Sequence, residues 1–172
     1  MNRKLKSQGD FDGACFLYSI ANAVISLNDT VTVENWSHAI SSLPKAGLFL
    51  RQNVGTLAFD DDGKKLEGVA QRFLKSLSSN KFKVVLDPGN RQKIDRLIDE
   101  NTVAIVSTPE HWFVVTEVHD NTVFVACSDT FNAHGHKQPE ERSPKFGHIS
   151  NLRIKLSDLR VYGRMIFRVT KA

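Results

Sequence analysis

Only two cysteines, Cys15 and Cys127, occur in the 172 residues of this chain. That is too few for a disulfide framework, and a chain of this length buries a core without staples. A Cys15–Cys127 bridge is the one pairing open to it, and it would quench both thiols. No apolar run is long enough to span a bilayer. The start, Met1-Asn2-Arg3-Lys4-Leu5-Lys6, is basic, but no apolar segment of signal-peptide type follows before Cys15. The expectation is a cytoplasmic protein, or one exported without a cleaved signal peptide, that makes no use of a membrane. The formal charge of +4 comes from scattered Lys and Arg, not from a basic stripe interleaved with aromatics, so no nucleic-acid partner is expected. Internal repeats, low-complexity segments and linkers are also missing, which predicts a single domain over 1–172.

What the chain does have is a glycine-punctuated polar turn, Gln8-Gly9-Asp10-Phe11-Asp12-Gly13, that breaks, after Ala14, into the apolar run Cys15 to Leu27. Such a run reads as a buried, central helix. Asp12 is its candidate N-cap, which puts Cys15 in the first turn. There the unpaired N–H groups and the helix dipole favour a thiolate.

A second helix is expected from Thr32, with Trp36, Ala39, Ile40 and Leu43 at helical spacing and Pro44 closing it. Residues 44–62 read as an irregular segment bordering a groove, and Asp60-Asp61-Asp62 as a solvated turn, since it lacks calcium-loop spacing. Leu66, Val69, Ala70, Phe73, Leu74 and Leu77 mark an amphipathic helix. Phe82 to Leu86 is a strand, and Asn90 caps a short helix carrying Ile94, Leu97 and Ile98. Three β-rich runs follow: Thr102 to Ser107, Trp112 to Val118 and Thr122 to Cys127. Asp120-Asn121 turns between the last two. Ser128 to Phe146 reads as a polar loop, with strand candidates at Leu152 to Leu156 and Tyr162 to Val169. Helices first and a mostly antiparallel sheet second make an α+β fold.

A nucleophilic thiol needs a base, a group that orients the base, and donors for an oxyanion. His111 opens the second β-rich run, and Pro109 before it fixes an extended approach. Its other reading is a half-exposed histidine on an edge strand. Asp129 ends the hairpin partner of that run. His111 lies nine residues before Asp120 and Asp129 eight after Asn121, so the two sit at nearly the same height on neighbouring strands. An aspartate there fixes the imidazole tautomer; its other reading is the start of a turn. Gln8, with backbone N–H groups around Cys15, is the candidate oxyanion donor, or else a solvated loop residue. His134, His136, His148 and Cys127 match no established zinc spacing, and no metal or other cofactor is expected. His119 and His38 read as structural.

These residues resemble the papain-like cysteine peptidases. Asp12-Gly13-Ala14-Cys15-Phe16-Leu17-Tyr18 is similar to the Asp-Gly-x-Cys-aromatic start of ovarian-tumour-type deubiquitinases. His111-Trp112-Phe113-Val114-Val115, followed by Val123-Phe124-Val125 and Asp129, looks more like the peptidase domains that cleave bacteriocin leader peptides. Two departures stand out. The Gln8-to-Cys15 interval is one residue longer than the usual one, and Phe16 stands where the bacteriocin-processing branch usually has Gly. The resemblance implies a helical half around the nucleophile helix packed on the sheet, and a protein or peptide substrate. It also implies acyl transfer, with Cys15 attacking a carbonyl, His111 protonating the leaving amine and Asp129 orienting His111. Members include peptidases, isopeptidases, amidases and toxin-type glutamine deamidases; a papain-like module that binds a partner protein without catalysis is the reading from another class.

Overall fold

The computed structural model describes residues 5–7, 14–49, 62–78, 81–109, 111–129 and 139–172. The apolar run after the glycine-rich turn forms helix α1 (Cys15–Ser26), buried along nearly its whole length. Asn28 stops it in the left-handed region at φ 62°, which asparagine tolerates better than most residues. Helix α2 (Val33–Ser41) starts at a capping box in which Thr32 and Asn35 satisfy each other's backbone N–H groups. A single turn, α3 (Ala46–Phe49), leads on to α4 (Gly63–Ser78). Leu66, Ala70, Phe73, Leu74 and Leu77 form the buried stripe of α4. Asp62 caps α4, its carboxylate accepting from the N–H groups of Lys64 and Lys65 at 3.1 Å each. Asp60 and Asp61 lie outside the described residues.

The strands are β1 (Phe82–Leu86), β2 (Thr102–Ser107), β3 (Trp112–His119), β4 (Thr122–Ala126), β5 (Glu141–Arg142), β6 (Ile149–Ser150), β7 (Leu152–Lys155) and β8 (Ile166–Lys171). Helix α5 (Arg91–Leu97), capped by Asn90, lies between β1 and β2 in the chain. Six strands pair in the order β1-β8-β2-β3-β4-β7, every pair antiparallel. The division into a helical half and a sheet half is therefore less clean than the sequence suggests. β1 precedes α5 and pairs with the C-terminal β8. The long polar stretch from Ser128 to Phe146 also contains β5, which forms a separate ribbon with β6.

Alternation along the strands splits the core in two. Val103 and Ile105 of β2 face α1 and α4 with Phe16, Leu17, Ile20, Phe73 and Phe167. Ala104 and Val106 face the other side, with Ile94 and Leu97 of α5. The outer edge of β1 is covered by α4, where Gln71 Oε1 accepts from Val84 N–H at 3.2 Å and Glu67 Oε1 from Leu86 N–H at 2.7 Å. Strand donors on this edge are thus satisfied by side chains instead of another chain. No helix of the described residues is long and apolar enough to cross a membrane.

Candidate active site

Cys15 is the first residue of α1. The residue at the N-cap position is Ala14, which supplies no side-chain hydrogen bond. Asp12 itself lies outside the described residues. A thiol in the first turn of α1 lies at the positive end of the helix dipole, which favours its anion.

The apolar residue after the thiol fixes where α1 begins against the sheet. Phe16, fully buried, stacks edge-on against Trp112 with ring centroids 4.8 Å apart and against Phe167 at 5.3 Å. Trp112 directly follows His111, so the two aromatic neighbours tie the start of α1 to the start of β3. This is the physical reason a phenylalanine at position 16 suits this chain.

His111 is not on an edge, because β3 lies between β2 and β4. The tight connection from β2 holds its backbone. Thr108 N–H donates to the His111 carbonyl at 2.8 Å, and Thr108 Oγ1 accepts from His111 N–H at 3.1 Å. The imidazole Nε2 is buried and has no hydrogen-bond partner among the described residues. Burial holds the His111 pKa below its ordinary value, and the charge of Asp129 partly pulls it back up.

Asp129 arrives beside His111 through the register of the hairpin. Asp120 and Asn121 both take positive φ, 46° and 60°, as a two-residue turn of the I′ kind requires. From the turn the ladder runs His119↔Thr122, Val118↔Val123, Glu117↔Phe124, then shifts and resumes as Val115↔Val125 and Val114↔Ala126. Thr116 is the extra residue, a β-bulge. Continuing three positions from Val114 and from Ala126 sets His111 level with Asp129. The unequal counts of nine and eight residues are reconciled at Thr116.

Cys127, two residues before Asp129, is 6% exposed. Burial pushes its thiol up to about 11; the Asp129 N–H, donating to Cys127 Sγ at 3.4 Å, opposes this, while the charges of Asp129 and Cys15 add to it. Cys15 and Asp129 thus both sit within electrostatic reach of one sulfur. The two cysteines are not joined in a disulfide.

Asn22, Glu117 and Asn151 make long-range polar contacts that are invisible to motif reasoning. Asn22, in the middle of α1, takes the Lys6 N–H on Oδ1 at 2.7 Å and gives Nδ2 to the Lys6 carbonyl at 3.0 Å. It grips the chain two residues before Gln8, which lies outside the described residues. A lone asparagine inside an otherwise apolar helix was the available signal. Glu117 is fully buried. Burial raises its carboxyl pKa, but hydrogen bonds from Ser143 and from the N–H groups of Phe146 and Lys145, with the nearby His119, outweigh this and hold it below the ordinary value. Asn151 brackets the backbone of Cys127.

His148 does not offer itself as a metal ligand. Its ring nitrogens face the carbonyls of Thr116 at 2.8 Å and Glu100 at 3.2 Å. His134 and His136 lie outside the described residues, as do most of the groove candidates in 44–62 and 130–148.

No protein-family model matches the chain, and no curated protein sequence matches it. Among solved structures, the peptidase domain of Streptococcus ComA, a bifunctional ABC transporter involved in quorum sensing, superposes with a TM-score of 0.56 at 9% identity. The match covers 99% of this chain and 100% of that one. At that identity the likeness speaks for the fold: an α+β, papain-like peptidase-domain architecture.

Proposed function

We propose that this protein is a cysteine hydrolase that cleaves a peptide, isopeptide or side-chain amide bond. Cys15 is the nucleophile, His111 the general base and acid, and Asp129 the group that orients His111. One observation supports the reading: the bulged β3–β4 register, continued three residues past its last pair Val114↔Ala126, brings Asp129 to the height of His111, next to Trp112, on which the start of the Cys15 helix is packed.

In this reading the Cys15 sulfur adds to the substrate carbonyl, with the proton of the thiol held by His111. The carbon–nitrogen bond breaks as His111 gives that proton to the departing nitrogen, leaving a thioester on Cys15. His111 then takes a proton from water, whose oxygen replaces sulfur on the acyl carbon, and the proton returns to the departing Cys15 sulfur, restoring both groups. Backbone N–H groups at the start of α1 and the Gln8 side chain are the proposed donors to the oxyanion. The lowered pKa of His111 suits a base that is neutral before it acts. The Streptococcus neighbour is itself a peptidase domain, which favours a peptide bond over a glutamine side chain.

The test is labelling and turnover with the whole chain. Iodoacetamide is expected to modify Cys15 well below pH 8, and Cys15→Ala to abolish both that labelling and hydrolysis across peptide, ubiquitin-like isopeptide and glutamine-amide substrates. Full activity in Cys15→Ser sinks the mechanism. His111 Nε2, without a hydrogen bond to Asp129, favours a second reading, a papain-like module that binds a protein without catalysis. In that case Cys15 reacts as an ordinary thiol and no substrate is turned over.

A further inference from the structure

β4 ends its regular pairing too early to hold Asp129 by itself. Its ladder with β7 runs from Thr122↔Lys155 to Val125↔Leu152 and stops there. Beyond it the chain still has to carry Cys127, Ser128 and Asp129 onward, where no strand of the described residues pairs with Cys127 on that side. The side chain of Asn151 replaces the missing partner. Its Oδ1 accepts from Cys127 N–H at 2.9 Å, and its Nδ2 donates to the Cys127 carbonyl at 2.9 Å. Its own N–H continues the ladder to the Val125 carbonyl, also at 2.9 Å. Asn151 is 4% exposed and both bonds are buried, so they are made away from water.

We propose that Asn151 is a positioning residue for the hydrolysis assigned above. By fixing the backbone at Cys127 it sets the height and direction in which the chain delivers Asp129 to His111. The inference rests on the assigned roles of Cys15, His111 and Asp129. The link is short: Asp129 follows Cys127 by two residues, and its N–H donates back to the Cys127 sulfur at 3.4 Å. A primary amide fits here for a chemical reason. It carries one acceptor and two donors in a plane, so it matches a peptide unit's C=O and N–H as a strand neighbour would. Aspartate at the same position loses the donor to the Cys127 carbonyl, and alanine loses both bonds.

A double-mutant cycle on the chemistry separates positioning from general support. The rate of Cys15 alkylation by iodoacetamide is measured from pH 5 to 9 in the wild type, Asn151→Ala, Asn151→Asp, Asp129→Ala and the double variants, with kcat wherever a substrate turns over. In the wild type Cys15 alkylates well below pH 8. Either Asn151 substitution is expected to slow alkylation at pH 6 about tenfold and move the pH profile toward that of a simple thiol. Either should lower kcat with little change in KM, and have no further effect once Asp129 is Ala. Multiplying effects in the double variant, or an unchanged pH profile in a folded Asn151 variant, overturn the proposal. Loss of the fold in both Asn151 variants overturns it as well, because the amide then holds the domain and not the site. Should the wild-type Cys15 itself behave as an ordinary thiol, the hydrolase reading fails first, and the role of Asn151 falls with it.

Discussion

Phe16 and Trp112 meet edge to face, ring centroids 4.8 Å apart and planes at 66°, and each directly follows a candidate catalytic residue. The contact is continued by Phe167, 5.7 Å from Trp112, so three rings from α1, β3 and β8 close the core beneath the site. The geometry around Cys15 and His111 is therefore set by packing one residue further along each element.

Truncating either ring is expected to cost about 3–5 kcal/mol, as for other large-to-alanine changes in a close-packed core. A denaturant double-mutant cycle on Phe16→Leu and Trp112→Leu should return a coupling of about 0.5–1.5 kcal/mol. Strict additivity would show that the rings merely share a core.

The buried Glu117 makes an acid-sensitive tether. Its carboxylate accepts from Lys145 N–H and Phe146 N–H at 2.9 Å each. Its folded pKa lies below 4.5, so between that value and 4.5 the unfolded chain binds the extra proton. Its contribution is complete above 4.5 and is lost as pH falls through the folded value. Glu117→Gln should destabilise by about 1–3 kcal/mol at neutral pH. The gap to wild type should narrow between pH 5 and 3 in urea melts; a constant gap argues against the assignment.

His111 works in a neighbouring window with the same sign. Its folded pKa is below 6.5, so between the two values the unfolded state carries the proton that the native state lacks. Stability from this group is level above 6.5 and falls as pH drops below it, at no more than about 1.4 kcal/mol per pH unit. His111→Gln should flatten the urea-midpoint profile between pH 7.5 and 5.5. An identical slope in the variant would place the titration elsewhere.

Cys127 gives the opposite limb. Its thiol ionises near 9 when unfolded and at about 11 when folded. Between those values the native state keeps a proton that the unfolded chain loses, so stability declines as pH rises above 9, by about 2–3 kcal/mol in full. Cys127→Ala should remove that decline. At pH 8 the native chain should also react with iodoacetamide at Cys15 much faster than at Cys127, read by mass spectrometry of the labelled peptides.

Much of the frame was legible because it rests on local rules. Helical spacing marked α4, Asn90 marked the start of α5, and Phe82 to Leu86 and Thr102 to Ser107 read directly as strands. Asp120-Asn121 fixed the hairpin because few dipeptides accept two positive φ angles. The places of Cys15 at the start of α1, His111 just before β3 and Asp129 shortly after β4 were legible from the same local rules. What did not show was the support by long-range polar contacts. Asn151 reaches Cys127 across 24 positions, and Glu117 reaches Lys145 across 28. No periodicity encodes such pairs, and a buried asparagine or glutamate looks in sequence like any surface residue. Helix α1 was placed well by its apolar run, and the residue at its N-cap position is Ala14, a type that carries no capping signal.

The bulge at Thr116 also decides where this hairpin can change length. Removing Thr116 would join Val115 to Glu117 and leave both halves of the ladder in their present pairing, with Asp129 still level with His111. A residue gained or lost between His111 and Val115, or between Ala126 and Asp129, would slide a different side chain opposite His111 and turn alternate residues to the wrong face. Insertions and deletions across this segment are thus confined to one spare position, and a library of single-residue deletions from 111 to 129 should find its tolerated strand position at Thr116.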